Sequence, residues 1–137
     1  MHADREYYWQ SKNPKCFNKY LPYFYPSNTT LLTTLETNRN KGYRKISKAP
    51  VPSLRYEAFR DLPWDHKIVT IEPILDFEED IFLSWILEIA PEAVWIGYNS
   101  HPNIRLPEPS LEKTKALISR IRSAGIEVRE KLMRDKK

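Results

Sequence analysis

The sequence predicts an α/β fold of parallel β/α units, forming one domain over residues 1–137. Short β-branched or aromatic runs recur along the chain, amphipathic helical patterns lie between them, and about 25 to 35 residues separate successive runs. That spacing is typical of β/α-barrel units, although a complete eight-fold barrel needs about 250 residues. The chain therefore corresponds to an open sheet or to a partial, half barrel, which a partner would complete.

Each predicted element follows from its local pattern. Strands are predicted at residues 7–11, 29–35, 67–71, 93–98 and 126–128, and helices at 14–21, 52–62, 78–89 and 110–124. We expect Asn13 to cap the first helix before Pro14, and Ser110 to cap the last, which ends at Gly125. Segment 37–50 is polar and basic, and it predicts a mobile loop. The helix residues expected to face the core are Leu54, Ala58, Phe59 and Leu62, then Ile81, Phe82, Trp85, Ile86 and Ile89, and finally Leu111, Ala116, Leu117, Ile118 and Ile121.

Composition excludes several classes of protein. The single cysteine, Cys16, rules out an internal disulfide framework and a self-contained iron–sulfur or cysteine-rich zinc site. No apolar run approaches the roughly 20 residues that span a bilayer, and the N-terminal segment is too polar for a signal peptide. We therefore expect a cytoplasmic protein without a membrane partner. The net charge of +4 is compatible with a nucleic-acid partner.

Two glutamates mark a candidate binding edge. Glu36 and Glu72 each follow a predicted buried strand, where an unpaired carboxylate is costly to bury. Since parallel strands end at one shared edge, Lys12, Asn38, Asn99 and His101 are expected there too. This mixture suits hydroxyl and amine groups, such as a ribose or an amino acid. Two alternatives stay open: Glu36 and Glu72 form a glycosidase-like acid/base pair, or either is a structural ion-pair partner of Lys12 or Arg39.

Six segments, in order, resemble motifs of a family of radical SAM-like proteins found in phages and prokaryotes. Each motif is short, but together they span nearly the whole chain. The segments are QSKNP at 10–14, TLETNR at 34–39, SKAP with RYEA at 47–58, IEPILDF at 71–77, IGY with LPEP at 96–109, and EVREK at 127–131.

The resemblance implies the C-terminal half of a partial TIM barrel. In that family a Cys-x3-Cys-x2-Cys motif holds a 4Fe–4S cluster that cleaves S-adenosylmethionine. The motif is missing here, so this truncated chain is expected to bind no cluster and to be inactive alone. A separately encoded N-terminal half that carries the motif is the implied partner. The resemblance also implies that Glu36, Asn38 and Glu72 contact cofactor or substrate.

Two other functions are compatible with the sequence. A basic nucleic-acid-binding module would use Arg39, Tyr43 and Arg44, with the arginines on phosphates and the tyrosine stacked on a base. An inactive remnant would instead leave open sheet edges that favour a homo-oligomer.

Overall fold

The computed structural model describes residues 4–100, 106–131 and 133, and it confirms the predicted α/β class. Three α-helices and five strands account for most of the regular structure of these residues. They are β1 (Tyr7–Gln10), β2 (Thr29–Thr34), α1 (Pro52–Asp61), β3 (Lys67–Ile71), α2 (Glu79–Ile89), β4 (Ala93–Ile96), α3 (Leu111–Ser123) and β5 (Glu127–Glu130).

The five strands form one parallel sheet in the order β1-β2-β3-β4-β5. Leu31 of β2 lies beside Lys67 of β3, and Ile68 of β3 lies beside Ala93 of β4. Because right-handed crossovers add each strand on the same side of the last, the connecting helices fall on one face of the sheet. This order is common to open singly wound sheets and to segments of a β/α barrel.

The two faces of the sheet differ in what covers them. The main core joins side chains such as Leu31, Val69 and Val94 to the helices, including Phe82 and Leu117. Along each strand the alternate residues belong to the other face. There Leu32, Ile68 and Ala93 form a second cluster, with Trp95 packed against it, and every member belongs to a strand. Its members are buried by strand side chains, and no described helix contributes to it; we call this helix-free surface the bare face.

The first predicted helix is wrong in type. Residues 14–21 form no α-helix but a 3₁₀ helix at Pro14–Lys19, followed by a second at Leu21–Tyr23. Pro14 does occupy the first turn, yet the Asn13 side chain makes no capping hydrogen bond. The aromatic and proline residues that follow favour two short turns over a continuous helix.

The predicted helix faces need three corrections. In α1, Leu54 is exposed, and Arg55, Tyr56 and Phe59 are buried instead. Ile81 of α2 and Ala116 of α3 are exposed as well. Both expected boundaries of α3 are confirmed. At its start, Ser110 Oγ accepts a hydrogen bond from the Lys113 backbone N–H at 3.1 Å, and just after its end Gly125 adopts a φ of 85°. Among the described residues, no helix is long and apolar enough to cross a membrane.

Candidate functional site at the carboxyl edge of the sheet

The carboxyl ends of β1, β2 and β3 bring together a row of polar side chains on the bare face. Gln10 Nε2 donates to Thr34 Oγ1 at 3.1 Å, with a longer contact of 3.4 Å to Thr70 Oγ1. The two threonine hydroxyls are 2.7 Å apart. Gln10 is exposed and both threonines are buried, so the amide lies over the hydroxyl pair and faces outward. The row presents neutral donors and acceptors beside the two predicted glutamates.

Glu36, the first predicted site residue, is held in a buried ion-pair network. Arg55 Nη2 donates to Glu36 Oε1 at 2.9 Å, and the Tyr43 hydroxyl donates to Oε2 at 2.8 Å. Arg55 Nη2 also donates to the Tyr43 hydroxyl, and its Nη1 donates to the Thr34 carbonyl oxygen. Arg55 has no exposed surface, and Glu36 is 2% exposed. We call these three residues the Glu36–Arg55–Tyr43 network.

The network leaves Glu36 little capacity to bind a ligand directly. Burial, together with the nearby Glu36 charge, raises the pKa of Tyr43 to about 12, so the phenol stays a donor at neutral pH. Lys12 Nζ lies 3.5 Å from Glu36 Oε2, and the lysine side chain is 48% exposed. Lys12 is therefore the solvent-facing member of this group. The geometry favours the structural alternative for Glu36 over an acid/base pair with Glu72.

Glu72 has a different environment from Glu36. It directly follows β3, its side chain is 40% exposed, and Lys131 Nζ is 3.9 Å from Oε2. Asn99 is buried after β4, whereas His101 lies outside the described residues. Of the two predicted glutamates, Glu72 is thus the one whose carboxylate faces solvent.

Asn38 and Arg39 join the loop after β2 to the loop after β3. Asn38 Oδ1 accepts a hydrogen bond of 2.8 Å from the backbone N–H of Glu78, the residue before α2. Arg39 Nε lies 3.0 Å from both carboxylate oxygens of Glu78, and Nη1 is 3.2 Å from Asp76 Oδ2. Asn38, predicted as a ligand contact, is thus a structural link between two loops.

The stacking role predicted for Tyr43 in a nucleic-acid interface with Arg39 and Arg44 does not fit this geometry. Tyr43 is 1% exposed within the Glu36–Arg55–Tyr43 network, so its ring cannot stack on a base. Arg39 is engaged by two carboxylates, and Arg44 is exposed on the 3₁₀ helix Tyr43–Lys45. The burial of Tyr43 was not predictable from the sequence, because its neighbours along the chain are basic and polar residues that suggest a solvated loop.

Asp76 links three elements at this edge. Lys113 Nζ of α3 is 2.7 Å from Oδ1 and also donates to the Phe77 carbonyl oxygen. Burial would raise the pKa of Asp76, but the hydrogen bonds from Lys113 and the Phe77 backbone, with the nearby cations, lower it overall. The Arg39 hydrogen bond likewise lowers the pKa of Glu78. Beside these residues a groove of about 430 Å³ is lined by Thr37, Arg39, Lys41, Leu75 and Pro107, among others.

We expect these carboxylates to contribute to acid unfolding. Because their folded pKa values lie below the ordinary 3.8 and 4.5, their stabilisation is complete above those values and is lost as the pH falls through the lowered ones. Each contributes about 1 kcal/mol or less, since both are partly exposed. Urea unfolding between about pH 7 and pH 3 should show a shallower loss of stability in the Asp76→Asn/Glu78→Gln variant than in wild type. Equal slopes for this variant, wild type and the Glu112→Gln control would contradict the assignment.

The residues present do not fit an iron–sulfur cluster. Such clusters are held by several cysteine thiolates, and this chain has Cys16 alone. Within the described ranges, no group of three or more histidine, cysteine, aspartate or glutamate side chains is placed to hold a metal ion. The expectation that this chain by itself binds no cluster stays a prediction.

No family model, curated protein or solved structure significantly matches this chain. The likeness to radical SAM-like proteins therefore rests on the sequence motifs alone.

Several residues of this site escaped the sequence interpretation. The sequence predicts Arg55 on the exposed side of an amphipathic helix. In the structure it is buried, as are its helix neighbours Pro52, Tyr56 and Phe59. Thr34 and Thr70 looked like ordinary strand residues. Their period-two alternation with Leu35 and Ile71 was the available signal, since it places them on the face opposite the main core.

Proposed function

We propose that this chain is the C-terminal portion of a radical SAM-like partial barrel, and that it contributes a binding surface for S-adenosylmethionine or its substrate. The observation that supports the proposal is the sequential parallel sheet, with its helices on one face and with no described helix on the bare face opposite. In β/α folds the carboxyl ends of the strands form the ligand-binding edge.

The donor set at that edge is compatible with the cofactor. Gln10, Thr34 and Thr70 offer neutral hydrogen-bonding groups, and Glu72 offers an exposed carboxylate. Such groups suit ribose hydroxyls and an amino group, while Lys12, whose side chain is 48% exposed, is a cation at the same edge that would attract a carboxylate. Cleavage of the cofactor requires the cluster, which this chain does not supply.

Substitution of Glu72 tests cofactor binding most directly. We expect titration calorimetry with S-adenosylhomocysteine, a stable analogue, to give saturable binding that Glu72→Gln weakens about tenfold, because a charged hydrogen bond contributes about 1.5–3 kcal/mol. Glu92→Gln is the matched control, since Glu92 is an exposed carboxylate that precedes β4 at the opposite end of the sheet. Absent binding, or equal weakening by both substitutions, would reject the proposed surface.

The proposed partner is an N-terminal half that carries three closely spaced cysteines. The edge strands β1 and β5 each have one side that pairs with no described strand, so main-chain donors and acceptors are open to a further strand there. Co-expression with the product of a neighbouring cysteine-bearing reading frame should yield a stable complex of the two chains. If the chain stays a compact monomer and forms no complex with that product, the split-barrel form is contradicted.

A further inference from the structure

A second groove lies beside β1 and is lined mainly by aromatic side chains. Its volume is about 410 Å³, and its rings are those of Trp9, Phe17, Tyr20 and Phe24. Ser11 and Cys16 also line it, with Ser11 Oγ 3.5 Å from Cys16 Sγ. We call this cavity the aromatic groove. Gln10, which belongs to the polar row at the carboxyl edge, lines the groove as well, but none of the glutamates of that edge does.

The rings of the aromatic groove are held in position while two of them remain open to solvent. Trp9 stacks on Phe24 with ring centroids 5.9 Å apart and an interplanar angle of 16°. Phe24 in turn meets Trp64 edge-on, and the Trp64 indole N–H donates to the Thr29 carbonyl oxygen at 2.9 Å. Trp9 is nevertheless 45% exposed and Tyr20 is 47% exposed. The groove is therefore a preorganised aromatic surface on which a flat ring can stack.

Charge around the aromatic groove favours an anionic occupant. Residues 7–35 contain no aspartate or glutamate and include Lys12, Lys15 and Lys19. Lys15 and Lys19 are exposed on the 3₁₀ helix that also carries Phe17, and Lys19 Nζ is 5.1 Å from the centre of the Tyr20 ring. Within the part of the chain that the structure describes, neither ammonium forms an ion pair. Lys19 thus lies beside an aromatic surface that is lined by no carboxylate, and Lys15 is carried by the same 3₁₀ helix.

We propose that the aromatic groove binds single-stranded nucleic acid. One or two bases stack on Trp9 and Tyr20, and the ammonium groups of Lys15 and Lys19 contact the backbone phosphates. Proteins that bind single strands combine these same elements, a cationic track and aromatic rings on which bases stack. The inference concerns another ligand and other side chains than the function proposed for the carboxyl edge, although Gln10 lines both sites. It also differs in place from the basic loop around Tyr43, where the ring is buried.

A labelled oligothymidylate of about 12 nucleotides provides the test, read by fluorescence anisotropy at about 50 mM salt. We expect saturable binding with quenching of tryptophan fluorescence, and a loss of about 5- to 150-fold in affinity for Trp9→Ala and Tyr20→Ala. Trp9→Phe keeps a ring and should stay within about threefold of wild type, which separates stacking from misfolding. Tyr23→Ala removes an exposed ring that does not line the groove and should bind like wild type.

The lysines are tested by the salt dependence of the same binding. Lys19→Ala should weaken binding to all sequences and reduce the slope of log affinity against log salt by about 1, whereas Lys115→Ala on α3 should leave the slope unchanged. Absent binding at low salt would overturn the proposal, and so would binding that is insensitive to Trp9→Ala. It would also be overturned if Trp9→Ala abolished association with another protein chain and left oligonucleotide binding intact, because the groove would then be a protein interface.

Discussion

Replacing Arg55 with methionine should lower the free energy of unfolding by about 3–5 kcal/mol, measured by urea denaturation at neutral pH. Arg55 and Glu36 are 0% and 2% exposed, so the substitution leaves a buried carboxylate without its main charged partner. The variant also removes the donor to the Thr34 carbonyl oxygen at the end of β2. Both losses act at the end of β2, on Thr34 and on Glu36 just beyond it.

Two comparisons separate this effect from a general loss of an arginine. Arg60→Met, also on α1, removes a guanidinium that pairs with exposed Asp61 and donates to the Tyr56 hydroxyl, and it should cost much less than Arg55→Met because water screens the exposed pair. The double variant Arg55→Met/Glu36→Met should lose less stability than the two single variants added together, because neither charge is then left alone. Additive losses, or a cost for Arg55→Met as small as that for Arg60→Met, would show that the network does not stabilise the fold.

The parallel α/β sheet was predictable because its signals are local. Each strand is a short run of β-branched or aromatic residues, and α2 shows a helical stripe from Phe82 to Ile89. The structure confirms strands at 7–10, 29–34, 67–71 and 93–96, and β5 begins one residue later and ends two residues later than expected. The α-helix predicted at 14–21 was wrong because Asn13 and Pro14 resemble a helix start. Nothing in the local pattern distinguishes a 3₁₀ turn from an α-helix.

The carboxyl edge was predictable as a place, but the roles of its residues were not. Strand ends share one edge in any parallel sheet, so the position of Glu36 and Glu72 followed from the fold class. Whether a carboxylate is paired depends on side chains distant in sequence. Arg55 lies 19 residues after Glu36, and Lys113 lies 37 residues after Asp76. A glutamate follows each of the two strands, but Glu36 is buried in a structural network and Glu72 is exposed to solvent.

Leu31→Ala should lower the free energy of unfolding by about 3–5 kcal/mol, and Leu32→Ala should lower it by only about 2 kcal/mol. These neighbours are buried almost equally, at 0% and 3% exposure, but they belong to opposite faces of β2. Leu31 packs in the main core with the helices, so truncation loses its transfer free energy and also leaves a cavity. Among the described residues, the hydrophobic cluster around Leu32 consists of strand side chains alone, so we expect truncation there to leave a depression that no helix encloses.

The adjacent pair therefore measures whether the bare face is covered in solution. Equal, large losses for both variants would contradict an uncovered face and would indicate a second layer, from another copy or another chain. Sedimentation equilibrium on wild type identifies the first case, because a second copy doubles the mass. If the proposed N-terminal half docks on this face, its addition should raise the cost of Leu32→Ala toward that of Leu31→Ala, since the depression becomes an enclosed cavity. The cost of Leu31→Ala should not change, because the helices already enclose that side chain.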